Sequence, residues 1–158
     1  MTSMANRVSF LGKYNKPSYS TEELRLKAEA YCARSEHCAD EVQKKITDWG
    51  GDTATIEAII GMLYENNYLN DERYCRAYVH DKLLYQHWGK VKIRTMLYMH
   101  NLPKECISAA IENIDETEYN RILREVLKQK KNASREQQIR FLLQRGFEYR
   151  DILGVLDE

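Results

Sequence analysis

Two fixed offsets align turn and apolar positions from three stretches of the chain, and this repetition constrains the fold more than any other feature. Offsets of 51 and then 45 residues superpose these sets of three: Ile46, Leu97 and Leu142; Gly50, Asn101 and Gly146; Ile56, Ile107 and Ile152; Ile59, Ala110 and Val155. Gln138 breaks the pattern, because Val42 and Ile93 occupy the corresponding positions. The repetition predicts small units that bury little surface alone and are stabilised by packing on their neighbours in a row.

Helix signals recur within each stretch. Side chains that cap helix N-termini, two of them in Ser-x-x-Glu/Gln boxes and one in an Asp-x-x-Glu box, stand at regular intervals: Ser20, Asp52 or Thr53, Asn70, Asp115 and Ser134. Pro103 suits the first turn of a further helix, where its missing N–H is not needed. Only seven Gly and two Pro interrupt the chain, so about nine helices and no strand are expected.

These signals predict an all-α fold of three tandem three-helix-bundle repeats, each like a helix-turn-helix, in an elongated, curved array. We expect the repeats over residues 20–67, 68–114 and 115–158. Residues 1–19 have no sustained hydrophobic period and are expected to form a flexible arm. Hydrophobic residues make up 43% of the sequence, enough to supply a core for each repeat.

The apolar and cysteine patterns indicate a cytoplasmic protein. No window approaches 18 consecutive apolar residues, and the first ten residues lack the basic-then-apolar layout of a signal peptide. The four cysteines form no CxxC pair and lie at helical core positions: Cys32, Cys38, Cys75 and Cys106. They are therefore expected to be buried, reduced thiols.

No catalytic or cofactor-binding constellation is evident. The sequence has no Gly-rich phosphate loop, no HExxH motif and no nucleophile elbow. His37 and Cys38 are adjacent, and neighbouring side chains on a helix point about 100° apart, which disfavours a shared metal ion. His80, His87 and His100 are scattered. We expect no enzyme activity, no cofactor and no metal.

The charges are segregated although 24 basic residues balance 24 acidic ones. Residues 36–72 contain nine acidic and two basic residues. Residues 82–104 contain five basic residues and no acidic one, and residues 117–150 contain nine basic and four acidic. The later part of the chain is thus suited to a polyanion or a mixed-charge protein surface, unless these are simply solvated helix faces.

Two runs place basic residues beside an aromatic ring and a glycine. Residues 86–94 read QHWGKVKIR, and residues 140–147 read RFLLQRGF. Such a combination can bind phosphates and stack on a base, or it can close a helical bundle. A third run, residues 68–79, reads as a well-formed helix start with Asn70 as its cap and Asp71 and Glu72 in its first turn.

These runs resemble a known family in order and spacing. NYLNDERYCRAYVHDKL, HWGKVKIRTML and REQQIRFLLQRGFEYRDILGVL, with the earlier YCARSEHCADEVQKKI, resemble the RecX family of recombination regulators from about Thr21 to Leu156. The resemblance implies three tandem three-helix units in a cytoplasmic bacterial protein. It also implies that the protein binds the RecA recombinase filament on single-stranded DNA and inhibits its ATPase and strand exchange. Two departures are Cys38, where the family usually has a capping Ser, and the neutral net charge.

We therefore expect a monomeric, non-catalytic modulator whose repeats engage successive protomers of the RecA filament and touch DNA weakly if at all. Expected partner- or DNA-binding residues are Lys82, Lys90, Lys92, Arg94, Arg121, Arg124, Lys128, Arg140 and Arg145. Residues expected to hold the structure are Asp71, Glu72, Arg73, Tyr74, Trp88, Gly89, Gly146 and Phe147. The alternatives are a helix-turn-helix-like protein that binds DNA directly and a purely structural helical scaffold.

Overall fold

The computed structural model describes residues 18–158, and this part of the chain consists of α-helices and connecting turns without a strand. Its nine helices are α1 (Thr21–Arg34), α2 (Ala39–Asp48), α3 (Thr53–Glu65), α4 (Asp71–Leu84), α5 (Lys90–Met99), α6 (Lys104–Glu112), α7 (Glu116–Lys128), α8 (Arg135–Gln144) and α9 (Tyr149–Leu156). The all-α prediction is confirmed. The arm expected over residues 1–19 lies outside the described residues except for its last two. None of the described helices is both long and apolar enough to span a bilayer.

Side-chain caps begin five of the helices at the expected positions. Each cap accepts a hydrogen bond from the backbone N–H three residues later: Ser20, Asp52, Asn70, Asp115 and Ser134. The sequence predicts a reciprocal bond from Glu118 back to Asp115, whereas the Glu118 carboxylate pairs with Arg121. Pro103 stands at the N-cap of α6, one residue before the first turn in which it is predicted.

The three turn residues that the offsets align share an unusual backbone conformation. Gly50, Asn101 and Gly146 have φ values of 93°, 59° and 91°. This left-handed region favours Gly, because a Cβ crowds the neighbouring carbonyl, and after it Asn, whose short polar side chain can hydrogen-bond locally. At the end of α8 the N–H of Phe147 bonds back to the carbonyl of Leu142, and the same type of bond ends α2. The aligned helices therefore end in closely similar turns.

The chain divides into two compact units. The first contains the described residues up to Ser35 together with Val42–Tyr68, and the second contains Glu36–Glu41 and Leu69–Glu158. In the first unit α1 packs against α3. Its buried apolar residues are Leu24, Ala28, Cys32, Val42, Ile46, Ile56, Ile59 and Leu63. The ammonium of Lys27 lies 4.8 Å from the centroid of the Trp49 ring at the edge of this unit.

The second unit is built on one continuous apolar cluster that includes residues from each of the helices α4 to α9. Within it, α4 packs on α5, α6 and α7, while α7 packs on α8 and α9. Tyr119 and Phe147 are fully buried and place their ring centroids 5.6 Å apart. The repeat boundary expected after residue 114 lies inside this unit and stays a prediction. A shared core holds α4, α5, α7 and α8, which carry the expected binding residues apart from Arg145 at the end of α8, in fixed positions.

Candidate functional site

The start of α5 is held by the end of α8 through main-chain hydrogen bonds. The N–H of Gly89 donates to the carbonyl of Arg145 at 2.8 Å, and the N–H of Val91 donates to that of Gly146 at 2.9 Å. The N–H of Lys90 donates to the Tyr119 hydroxyl at 3.0 Å. The first N–H groups of a helix have no partner within it, so these acceptors replace a side-chain cap. We call this arrangement the α5–α8 joint.

The α5–α8 joint requires glycine on both sides. A Cβ added to Gly89 would lie 2.3 Å from the carbonyl carbon of Gly146, and one added to Gly146 would lie 2.3 Å from the Cβ of Lys92. Both distances are far below van der Waals contact. The atoms approached are the backbone of Gly146 and the Cβ of Lys92, which cannot move aside as the end of a flexible side chain can. The glycines expected to be structural thus lie in direct contact.

Next to the joint, two lysines share one tryptophan. The ammonium groups of Lys82 and Lys92 lie 4.9 Å and 4.2 Å from the centroid of the Trp88 ring, and Lys82 lies 5.3 Å from that of Tyr78. We call Tyr78, Lys82, Trp88 and Lys92 the Trp88 cluster. Cation–π contacts of this type are worth about 0.5–1 kcal/mol at exposed sites. They hold two positive charges in place without neutralising them, and a base stacking on Trp88 would compete with these ammonium groups.

Lys90 and Arg94, on the same helix, have acidic partners. The Lys90 ammonium lies 2.5 Å from a carboxylate oxygen of Glu116 and 4.4 Å from the centroid of the Tyr119 ring, and its side chain is only 12% exposed. The Arg94 guanidinium lies 3.9 Å from a carboxylate oxygen of Glu148. The Lys90 side chain is therefore less accessible than those of Lys82 and Arg94, and its position suits it to supporting the joint.

The basic residues of α7 are paired with carboxylates of the same unit. Arg121 forms an ion pair with Glu118, Arg124 with Glu158 and Lys128 with Glu125. The Arg121 hydrogen bond also lowers the pKa of Glu118, which keeps that carboxylate ionised. These three cations thus present less net positive charge to a partner than the sequence count indicates.

On α8, Arg140 and Arg145 differ in their surroundings. Arg140 is exposed and forms no ion pair with another residue of the 18–158 range. The Arg145 guanidinium lies 5.3 Å from the centroid of the Phe141 ring and donates to the carbonyl of Gln86 at 3.4 Å. Lys130 also lies over Phe141, at 5.1 Å. Both Lys130 and Phe141 were missed by the sequence reasoning, because nothing local links a turn lysine to a ring on the next helix.

Arg140, Phe141 and Lys130 border a shallow depression of about 330 Å³ that also touches Gln137 and Gln144. It lies on the face of α8 that faces the turn after α7. A depression lined by two basic side chains and an aromatic ring is suited to binding a carboxylate or phosphate group of a partner.

The residues expected to hold the start of α4 do make internal contacts. Arg73 donates to Glu36 at 2.5 Å, and the Tyr74 hydroxyl donates to Glu41 at 2.5 Å. Asp71 and Glu72 occupy the first turn of α4, where the positive end of the helix dipole favours acidic side chains. These contacts fix residues 36–41 to α4 within the second unit.

The described part of the second unit therefore combines two kinds of basic residue. Lys82 and Lys92 lie against Trp88, and Lys130 and Arg145 lie against Phe141, whereas α7 pairs its cations with acids. The arrangement can attract an anionic or mixed-charge surface.

Comparison with known proteins gives consistent matches. The family description "RecX, second three-helix domain" matches residues 70–111. The chain is 30% identical over 151 residues to a regulatory protein RecX from Leptothrix cholodnii, covering 90% of this chain and 93% of that protein. It is 29% identical over 150 residues to a regulatory protein RecX from Vibrio parahaemolyticus, covering 91% and 94%.

Solved structures share the fold. The crystal structure of RecX from Lactobacillus salivarius matches with a TM-score of 0.73 at 17% identity, covering 87% of this chain and 94% of that one. A second crystal structure, of a regulatory protein RecX, matches with the same TM-score over 87% of this chain and 74% of its own length. The helical repeat fold is therefore that of these proteins.

Proposed function

Since the chain belongs to the RecX family of regulatory proteins, we propose that it regulates the RecA recombinase by binding the RecA filament on single-stranded DNA. In this proposal it inhibits the filament's ATPase and strand exchange and so modulates homologous recombination and DNA repair. It acts in the cytoplasm, as a monomer and without catalysis, and its repeats engage successive protomers of the filament.

The observation that carries this proposal is the set of aromatic-bound cations on the second unit. Two of these cations, Lys82 and Lys92, lie over Trp88, and two others, Lys130 and Arg145, lie over Phe141. Among the four, only Lys82 has a carboxylate partner within residues 18–158, Asp81, and the two charged groups are 3.8 Å apart. Such groups attract acidic protein surface or phosphate without first breaking a strong internal ion pair. Many weak contacts of this kind add through effective concentration when the partner is a repeating polymer.

The magnitude of a single contact guides the experiment. An exposed charge contact is worth under about 1 kcal/mol, so single reversals are expected to be mild and clustered ones severe. Lys90 is a poor choice for reversal, because its side chain is largely buried against Tyr119 and Glu116. Lys82, Lys92, Arg140 and Arg145 are better choices.

The test measures the ATPase rate of RecA filaments on single-stranded DNA as this protein is added. The double variant Lys82→Glu/Lys92→Glu is expected to raise the concentration for half-inhibition by about tenfold, the equivalent of about 1.4 kcal/mol. Arg140→Glu/Arg145→Glu is expected to act in the same direction. The matched control is Lys104→Glu/Lys131→Glu, which makes the same change in net charge at two exposed positions that form no cation–π contact with Trp88 or Phe141.

Equal inhibition by the wild type and both test variants would contradict the assignment of this surface. Circular dichroism melts of each variant separate a lost contact from lost folding. Electron microscopy of the filaments with and without the protein shows directly whether it coats, shortens or dissolves them.

Direct DNA binding is the alternative outcome. It predicts tight binding to naked duplex that falls steeply with added salt, together with a clear sequence preference. Weak, unspecific binding to DNA that tightens when RecA is present supports the proposal instead.

A further inference from the structure

A thiol, a carboxylate and an imidazole from distant parts of the sequence meet in the second unit. One ligand atom each of Cys38, Glu41 and His100 lies within 4.8 Å of the other two. Cys38 directly precedes α2, Glu41 lies in its first turn, and His100 is the C-cap of α5. We call these three residues the Cys38 cluster. All three belong to the second unit, whose apolar cluster includes Cys38.

The Glu41 carboxylate is fixed in its ionised form. Its Oε1 accepts from the Tyr74 hydroxyl at 2.5 Å and from the Cys38 thiol at 3.4 Å, and its Oε2 lies 2.7 Å from Nδ1 of His37. Burial alone would raise the pKa of Glu41, but the hydrogen bonds from Tyr74, His37 and Cys38 lower it below its usual range. A negative charge is therefore held beside the Cys38 sulfur.

The Cys38 thiol is buried, with 1% of the residue exposed. The thiol donates to the Glu41 carboxylate, so it carries its proton in the free protein. A buried thiol resists alkylation and oxidation, but it releases its proton when a soft metal ion provides the compensating charge.

The His100 imidazole supplies the third group and has no hydrogen-bond partner among residues 18–158. It is half-buried, with its ring centroid 6.3 Å from that of Tyr74 and 6.0 Å from that of Tyr78. A neutral imidazole always has one nitrogen with a free lone pair. In this position that lone pair lies beside a thiol and an ionised carboxylate and is not used within the described structure.

We propose that Cys38, Glu41 and His100 bind one divalent transition-metal ion of the zinc class. Sulfur, imidazole nitrogen and carboxylate oxygen are the donors that tetrahedral zinc sites use, and three protein ligands leave the fourth position for water. Zinc–ligand distances of about 2.0–2.3 Å place the donors roughly 3.5 Å apart. The Cys38 sulfur already lies 3.4 Å from a Glu41 oxygen, and no pair of donors is more than 4.8 Å apart, so binding requires only a small closure of the cluster. The Cys38 thiol becomes a thiolate and its proton passes to the solvent, with no change in oxidation state.

His37 and Tyr74 act in this site as outer partners. Both hold the Glu41 carboxylate, and hydrogen bonds of this kind orient a metal-binding carboxylate. The bound ion would join the start of α2 to the end of α5 within the second unit. Metal binding is then coupled to the stability of that unit.

The test is a titration of the reduced full-length protein with Co²⁺ alone, followed by displacement with Zn²⁺. The expected result is one equivalent of Co²⁺ bound, with a thiolate-to-cobalt charge-transfer band in the near ultraviolet and the intense visible bands of a tetrahedral site. One proton should be released for each metal ion bound, and Zn²⁺ should abolish the bands and raise the melting temperature.

Cys38→Ser and His100→Gln are each expected to weaken metal binding by more than about 100-fold, since the loss of an outer partner alone costs 10–100-fold. Serine can still cap α2, so Cys38→Ser should melt like the wild type when no metal is present. Cys106→Ser and His80→Gln are the matched controls, because both side chains lie outside the Cys38 cluster; both should bind Co²⁺ as the wild type does.

Three results would overturn the proposal. The first is the absence of a thiolate-to-cobalt band in the wild type. The second is an unchanged band in Cys38→Ser, which would place the metal on another cysteine. The third is an unchanged affinity in His100→Gln, which would remove the imidazole from the ligand set.

Discussion

Gly89 and Gly146 approach each other so closely that a Cβ on Gly89 would lie 2.3 Å from the carbonyl carbon of Gly146. The contact joins the start of α5 to the end of α8, where two backbone carbonyls accept the N–H groups of Gly89 and Val91. Two helix ends more than 50 residues apart in the sequence thus complete each other's hydrogen bonding.

Gly146→Ala is expected to lower the free energy of unfolding of the second unit by at least about 2 kcal/mol. The substitution adds a left-handed backbone strain of about 1–2 kcal/mol and a steric overlap with Lys92 of about 1–3 kcal/mol. Urea denaturation followed by circular dichroism measures the loss.

The matched control for this prediction is Gly154→Ala. Gly154 lies within α9, and a Cβ there would meet nothing within 4 Å. Alanine favours a helix interior over glycine by up to about 1 kcal/mol, so stability should be unchanged or slightly higher. Equal stabilities of the two variants would show that the joint is not tightly packed.

Tyr119→Phe is expected to cost about 1–2 kcal/mol, because the N–H of Lys90 loses its acceptor in a buried position. Apolar packing is retained, so the loss reports the hydrogen bond alone. Chemical denaturation of the two proteins gives the difference. Tyr85→Phe removes the hydroxyl of a tyrosine that is 70% exposed and should leave stability unchanged.

Leu142→Ala and Leu143→Ala test the face of α8 that enters the core. Leu142 is 0% exposed and Leu143 is 45% exposed. Truncation of the buried leucine is expected to cost about 2–5 kcal/mol, whereas the exposed one should change stability by less than about 0.5 kcal/mol. Thermal melts of the pair measure this, and a reversed order would rule out the packing of α8 described above.

Asp151→Asn is expected to stabilise the protein slightly at neutral pH. Burial raises the pKa of Asp151, and repulsion from Glu148 adds to this. Since the folded chain then binds the proton more tightly than the unfolded chain, the ionised carboxylate lowers stability at neutral pH, and this loss disappears as the pH falls through the raised pKa. Solvent screening keeps the gain small, at most about 2 °C in melting temperature.

Melting curves across the acidic range check the sign of this effect. The difference between Asp151→Asn and the wild type should be largest near neutral pH and close as the pH is lowered. Glu57→Gln, an exposed substitution in α3, serves as the control and should follow the wild type throughout. A difference that grows on acidification would contradict the expected direction.

The sequence predicts those features that depend on neighbouring residues. Ser20, Asn70 and Ser134 each find their backbone partner three residues away, so the caps can be recognised without a tertiary structure. The offsets also bring together the three turn residues that share a left-handed conformation, because each repeat ends its helix in the same way.

The candidate site was less predictable, since its contacts join residues far apart in the chain. Lys90 pairs with Glu116, 26 positions away, and Arg124 with Glu158, 34 positions away. A count of charged residues along the sequence does not show that such cations are paired with acidic residues. In the same way, the adjacent His37 and Cys38 are the more evident candidate metal ligands in the sequence. The imidazole that lies beside Cys38 and Glu41 is instead that of the distant His100.

Apart from the Tyr119 hydroxyl, the α5–α8 joint is made by peptide groups, which almost every residue type can supply. The close contact requires glycine at positions 89 and 146, and it does not restrict the residue types of the surrounding surface. The exposed charges of these two helices can therefore change without altering the main-chain bonds that fix their ends.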